Sequence, residues 1–136
     1  MAENIKLEIV TPEKSVVNEE AQIVMAPGSL GEFGVLAGHT PFMTSLKIGA
    51  VRYVDKAGKE RFVFVSGGFA EALPNKVTIL ADSAERRKDI DIERAKAALA
   101  RAEERLAKEG DIDFTRARAA LARAILRIRL AESARL

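Results

Sequence analysis

Ala84-Glu85-Arg86-Arg87-Lys88 is the stretch at which this sequence of 136 residues changes character. All four prolines (Pro12, Pro27, Pro41, Pro74) and eight of the nine glycines precede it; the ninth is Gly110. Charge shifts at the same place. Residues 1–85 carry 8 Lys and Arg against 11 Asp and Glu, a net of −3, and residues 86–136 carry 14 against 9, a net of +5, which together give the overall +2. A joint change in turn residues and charge marks a change of architecture. The sequence therefore divides into a domain over 1–85 and a second over 86–136.

Upstream of the boundary the pattern is that of short strands. Ile5-Lys6-Leu7-Glu8-Ile9-Val10 alternates apolar and polar residues, the period of a half-buried strand, and Thr11-Pro12 stops it. Gln22–Ala26 ends at Pro27-Gly28, and Lys76–Leu80 follows Pro74-Asn75. Val51–Val54 and Glu60–Val65 flank Asp55-Lys56-Ala57-Gly58-Lys59, a hairpin with a turn glycine. Strands of this length and spacing predict an antiparallel β-sandwich or flattened barrel.

Downstream the period becomes helical. Asp89 or Asp91 is placed to cap a first helix, with Glu93 in its opening turn. Ile92, Ala95, Leu99, Ala102 and Leu106 form its seam, and Gly110 breaks the pattern. Phe114, Ala117, Leu121, Ala124, Ile128 and Ala131 form a second seam. The fold class expected is thus β + α, a sandwich followed by an antiparallel two-helix hairpin. Five of these eleven seam positions are alanine, so the helices approach closely but bury little area. A pair this short is marginal alone and is expected to need a surface to rest on.

Composition removes many chemistries. With 48% apolar and 31% charged residues the chain is not a disordered tail. No apolar run approaches the ~20 residues of a membrane span, and Met1-Ala2-Glu3-Asn4-Ile5-Lys6 lacks the pattern of a secretory signal. The expectation is a soluble intracellular protein. Zero cysteines exclude disulfides, a thiol nucleophile and thiolate metal sites, and one histidine excludes a histidine cluster. There is no P-loop and no nucleophile elbow. Gly28-Ser29-Leu30-Gly31-Glu32-Phe33-Gly34 has the wrong spacing for a dinucleotide turn; it reads as a glycine loop between strands, with Glu32 at its tip as a possible partner contact. His39, in Ala37-Gly38-His39-Thr40-Pro41, reads as a hydrogen-bonded turn histidine, with an interface role as the next reading. Ser66-Gly67-Gly68 reads as a bulge or strand-end turn rather than a nucleophile, so no catalytic centre and no metal site is expected.

The basic end is the stronger signal. Residues 114–136 hold six arginines, no lysine and one acidic residue, Glu132. Guanidinium groups suit two-pronged contact with carboxylate or phosphate. Arg116, Arg123 and Arg127 share one helical stripe, and Asp91, Arg94, Arg101 and Arg105 share another on the first helix. An antiparallel fold-back brings such stripes toward each other as an anion site; a solvated face is the competing reading.

The order of these features resembles the epsilon subunit family of bacterial F-type ATP synthase. The likeness rests on Leu7–Glu13, Gly31–Pro41, Val65-Ser66-Gly67-Gly68-Phe69, Val77–Asp82, Ile90–Ala95 and Asp111-Ile112-Asp113-Phe114, and it covers nearly the whole chain. The resemblance implies a non-catalytic rotor subunit that needs no cofactor. Its sandwich binds the gamma subunit and rests on the ring of c subunits, with Glu32 and His39 facing that ring. Its hairpin is implied to be a switch that, when extended into the alpha/beta assembly, meets acidic beta-subunit segments through Arg116, Arg118, Arg123, Arg127 and Arg129 and blocks ATP hydrolysis. Some members bind ATP in the folded hairpin. The matching residues are Glu85, Ile90, Asp91, Arg94, Ala95, Arg101, Arg123 and Arg127, so ATP is a regulatory ligand by this resemblance, although Asp91 and Arg94 equally suit a helix-start pair. The implied location is the cytoplasmic face of a bacterial inner membrane, with membrane contact only through the complex and no nucleic acid. The alternative kept beside it is a stand-alone module binding nucleic acid or acidic proteins through its arginine helix. A hydrolase using Ser66 or His39 has no supporting constellation.

Overall fold

A computed structural model describes residues 3–108 and 113–133. They form two compact units, one running to Arg86 and the other from Arg87 onward.

The first unit contains seven strands: β1 Ile5–Val10, β2 Ser15–Gly28, β3 Gly31–Val35, β4 Phe42–Asp55, β5 Glu60–Leu73, β6 Lys76–Ala81 and β7 Ala84–Arg86. They follow the order β1-β6-β5-β4-β2-β3, and β1 also pairs with β2, so the sheet closes on itself. Closure removes the open edges that an isolated sheet exposes. Among the described residues β1 and β6 make the one parallel pair in an otherwise antiparallel barrel. The alternation in β1 does what its pattern requires: Ile5, Leu7 and Ile9 are fully buried while Lys6 and Glu8 face outward. Val17, Val24, Val35, Val51, Tyr53, Val63, Val65, Val77 and Ile79 complete one continuous core.

Several strands run longer than their sequence pattern suggests. β2, β4 and β5 each span 14 residues, and they run on through glycine and proline rather than stop there. The ladder between β2 and β4 shifts register between Met25 and Gly28, where Pro27 lacks an N–H to donate. Opposite it, a Cβ on Gly49 would lie 2.7 Å from the Pro27 Cβ, so the two strands approach closely only because Gly49 has no side chain. The expected loop Gly28–Gly34 is corrected to a hairpin: Gly28 pairs with Gly31, and Ser29 and Leu30 alone make the turn. Glu32 therefore sits within β3 and not at a loop tip. Ser66-Gly67-Gly68 lies inside β5, where pairing continues on both sides, and is not a strand end.

Two polar clusters fix the sandwich. Tyr53, fully buried in the core, donates its hydroxyl to Glu19 Oε1. Burial, and then that hydrogen bond, push the phenol far above its ordinary range. Asp55 closes the β4–β5 turn, accepting from the Lys59 and Ala57 amides at 2.9 and 3.0 Å and from Arg61 Nε at 3.2 Å. The Lys59 amide leads in holding its carboxyl below the usual value.

The second unit begins with a 3-10 turn, Arg87–Asp89, followed by helices α1 Ile92–Ala107 and α2 Phe114–Ser133. Asp91, not Asp89, is the N-cap: its carboxylate accepts the Arg94 amide at 3.1 Å. Asp113 caps α2 in the same way through Arg116. The helices pack on each other, and the short connection at 108–113 makes them antiparallel. Ala95, Ala102, Ala117, Ala124 and Ala131 are buried along the seam. Ile92, Leu99, Leu106, Leu121 and Ile128 flank them half-buried, while Phe114, expected on the seam, is 47% exposed. Gly110 and the Asp111-Ile112 pair lie outside the described residues.

Candidate functional site

Candidate chemistry collects in two places, one in each unit. In the sandwich, the turn after β3 carries His39, and β3 itself carries the exposed Glu32. The turn is held by backbone bonds from Gly38 N–H to Pro74 O at 2.7 Å and from His39 N–H to Leu36 O at 3.2 Å. His39 Nδ1 lies 2.6 Å from the Thr40 carbonyl oxygen, which in a neutral ring makes Nδ1 the donor and leaves Nε2 for a partner. Leu30 and Leu36, at opposite ends of β3, are both exposed. Beneath the turn, Phe33 and Phe42 lie edge to face with centroids 5.1 Å apart, and His39 meets Phe42 at 5.0 Å. The sequence reading overlooked these two rings. In a chain with only 5% aromatic residues, two phenylalanines so near the single histidine were the available signal.

In the helical unit, Asp91 and Arg94 occupy the first turn of α1 and Arg101 lies two turns on, all exposed, while Ile90 and Ala95 are buried beside them. Arg123 and Arg127, one turn apart on α2, are half-buried, whereas Arg116, Arg118 and Arg129 are exposed. Arg94 lies 13 residues before the end of α1 and Arg127 lies 13 after the start of α2. The antiparallel hairpin thus sets them at one height; Arg101, Arg116, Arg118 and Arg123 lie nearer the connection and Arg129 farther from it. Glu85 belongs to β7 of the sandwich, paired with Phe64. Each helix thus carries guanidinium groups, donors of a kind suited to a polyanion. The Asp91 carboxylate is already engaged as a cap.

Neither Ser66 nor His39 makes a catalytic centre. Ser66 Oγ accepts from Ser83 Oγ at 2.7 Å, and His39 is bonded to its neighbouring carbonyl. Among the described residues no group of three or more His, Cys, Asp or Glu is placed to hold a metal ion. No helix among them is long and apolar enough to cross a membrane.

Residues 4–87 match the beta-sandwich domain of the ATP synthase delta/epsilon chain, and residues 88–132 match its long alpha-helix domain. The chain belongs to the ATP synthase delta/epsilon chain family. Among its relatives, the ATP synthase epsilon chain of Desulfatibacillum aliphaticivorans is 61% identical over 137 aligned residues, covering 100% of this chain and 97% of the relative. That of Desulforapulum autotrophicum is 71% identical over 108 residues, covering 79% and 80%. A chain of the Euglena gracilis mitochondrial ATP synthase OSCP/F1/c-ring assembly superimposes with a TM-score of 0.79 at 24% identity, covering 98% of this chain and 82% of that one. This last likeness speaks for the fold alone. Membership of the delta/epsilon family makes this chain a non-catalytic, peripheral subunit of the synthase.

Proposed function

We propose that this chain is a central-stalk subunit of an F-type ATP synthase, turning with the rotor while its helical unit regulates ATP hydrolysis. In this reading the sandwich binds the gamma subunit and rests on the ring of c subunits through Glu32 and His39. The hairpin is a switch: extended into the alpha/beta assembly, it meets the beta subunit through Arg116, Arg118, Arg123, Arg127 and Arg129; folded, it holds ATP. Arg94, Arg101, Arg123 and Arg127 take the phosphates, and Asp91 contacts the base, the sugar or a neighbouring arginine.

The observation that carries the reading is the alanine seam. Five buried alanines hold α1 to α2 with little apolar area, while the arginines of α2 remain on its open faces or beside the seam. A contact this thin opens at low cost, and a polyanion bound between cationic stripes favours the closed form by its differential affinity for it. Solved structures of similar fold come from synthase assemblies, one described as central stalk and c-ring from Tetrahymena thermophila mitochondria, which suits the same place for this chain. No observation beyond the arginine charge itself favours nucleic acid.

Calorimetric titration of the full chain with ATP tests the sensing half: one-to-one binding is expected, lost in Arg94→Ala and in Arg127→Ala. Binding unchanged in both variants removes the site. The rotor half is tested by adding the chain, or residues 1–86 alone, to synthase lacking this subunit. Both are expected to assemble, and only the full chain to lower the ATPase rate.

A further inference from the structure

The end of the sandwich that carries Glu32 and His39 is organised around one side chain. Phe42 opens β4, and its ring stands edge-on to two others: Phe33 at 84° and His39 at 63° between planes, with centroids 5.1 and 5.0 Å away. Such edge-to-face pairs are favoured because the positive rim of one ring meets the negative face of the other. Phe33 adjoins Glu32 in β3, so one ring touches both the strand of Glu32 and the turn of His39. Phe33 and Phe42 also pack against the buried core, which anchors the platform to the barrel rather than to the loop.

The second restraint on the histidine is polar. The Thr40 carbonyl takes Nδ1, and Phe42 meets the ring, so the imidazole is fixed both in tautomer and in orientation. Backbone bonds alone would place the turn but leave the ring its rotamers. An exposed side chain that must be ordered on docking weakens the contact, and a side chain ordered beforehand does not.

We propose that Phe42 is a positioning residue for this end of the sandwich: its ring sets the His39 imidazole and the Glu32 strand in one fixed relation, ready for a docking partner. The proposal rests on the reading of Glu32 and His39 as contacts to the ring of c subunits, and it adds a residue to which no contact role was assigned. It also separates two functions of an aromatic side chain at this place. Bulk in the core is supplied by leucine or methionine as well, whereas the edge contact to His39 needs a ring.

The test uses the full chain carrying Phe42→Leu, Phe42→Met or Phe42→Tyr, with Glu32→Gln and His39→Ala as controls on the contact itself. Two aliphatic replacements keep the result independent of whether one of them folds. Three-bond couplings across the His39 Cα–Cβ bond are expected to report one rotamer in the parent and in Phe42→Tyr, and rotamer averaging in Phe42→Leu and Phe42→Met. Each variant is then titrated onto synthase-containing membranes from which this subunit has been removed. Immobilising one side chain predicts a loss of about five-fold in affinity for the aliphatic variants, restored by tyrosine. Aliphatic variants that bind like the parent, while the Glu32 and His39 controls bind weakly, overturn the role of Phe42 and leave the ring contact standing. Controls that also bind like the parent overturn the ring contact, and the proposal with it.

Discussion

At Gly68 the backbone holds φ at +129°, and a Cβ there would collide with the Leu80 carbonyl oxygen and come within 2.9 Å of the Ala81 Cα. Both obstacles are backbone of the neighbouring strand, which cannot move without breaking the β5–β6 ladder. Gly68→Ala is expected to cost on the order of 3 kcal/mol, read from denaturant unfolding with an unchanged slope. Tyr53 gives a second test at this scale, with a defined sign. Its phenol is held neutral in the folded state and titrates above its ordinary 10.0. The resulting stabilisation is complete below pH 10 and is lost as pH rises above it, because the unfolded phenol ionises first. Tyr53→Phe removes the hydrogen bond to Glu19 and is expected to cost about 1–2 kcal/mol at pH 7. That cost shrinks between pH 10 and 11, as chemical unfolding at the two pH values would show. A cost that stays constant across the interval would mean that the phenol is not protected.

Among the elements, α1 shows how a short motif divides between structure and ligand. Asp91 accepts the Arg94 amide, so part of what Ile90–Ala95 offers is a helix start. Asparagine caps nearly as well as aspartate without the charge, and alanine does not cap. Asp91→Ala is therefore expected to destabilise α1 by about 1 kcal/mol, and Asp91→Asn by a few tenths. If the carboxylate also serves ATP, Asp91→Asn lowers ATP affinity while helicity by circular dichroism stays unchanged. Equal affinity in Asp91→Asn confines the residue to capping. The sequence revealed elements of this kind wherever period and punctuation agreed: β1, the first half of β5, β6 and the alanine seam. It misled where a strand runs on through glycine and proline instead of ending there, as at Pro27 and Gly67-Gly68, because the same residues serve both purposes and only the partner strand distinguishes them. β3 was hidden for that reason: three of the seven residues from Gly28 to Gly34 are glycines, and pairing with β2, not propensity, makes residues 31–35 a strand. The arginine stripes were visible as a period, whereas the Phe42 platform depends on a turn packing back onto a strand.

For the molecule as a whole, the two units differ in what stabilises them. The sandwich buries Ile5, Leu7, Ile9, Tyr53 and a set of valines in a closed sheet, whereas the helical unit buries Ile90 and five alanines. A methyl group contributes roughly 0.8 kcal/mol on burial, so an alanine seam gives little against the entropy of ordering two helices. Residues 1–86 alone are accordingly expected to unfold cooperatively with a midpoint within a few degrees of the intact chain. Residues 87–136 as a separate peptide should lose most of their helicity, since helices of 16 and 20 residues are marginal in water. This inequality decides how a ligand acts. Saturation at 100 times the dissociation constant adds about 2.7 kcal/mol to the state that binds. That is a small fraction of what holds a closed barrel and a large one of what holds the hairpin. ATP should therefore slow hydrogen exchange about a hundred-fold at the α1 and α2 amides at that saturation, and leave the β1, β5 and β6 amides unchanged. Protection spread evenly over both units would mean that they open together, and that the hairpin is no independent switch.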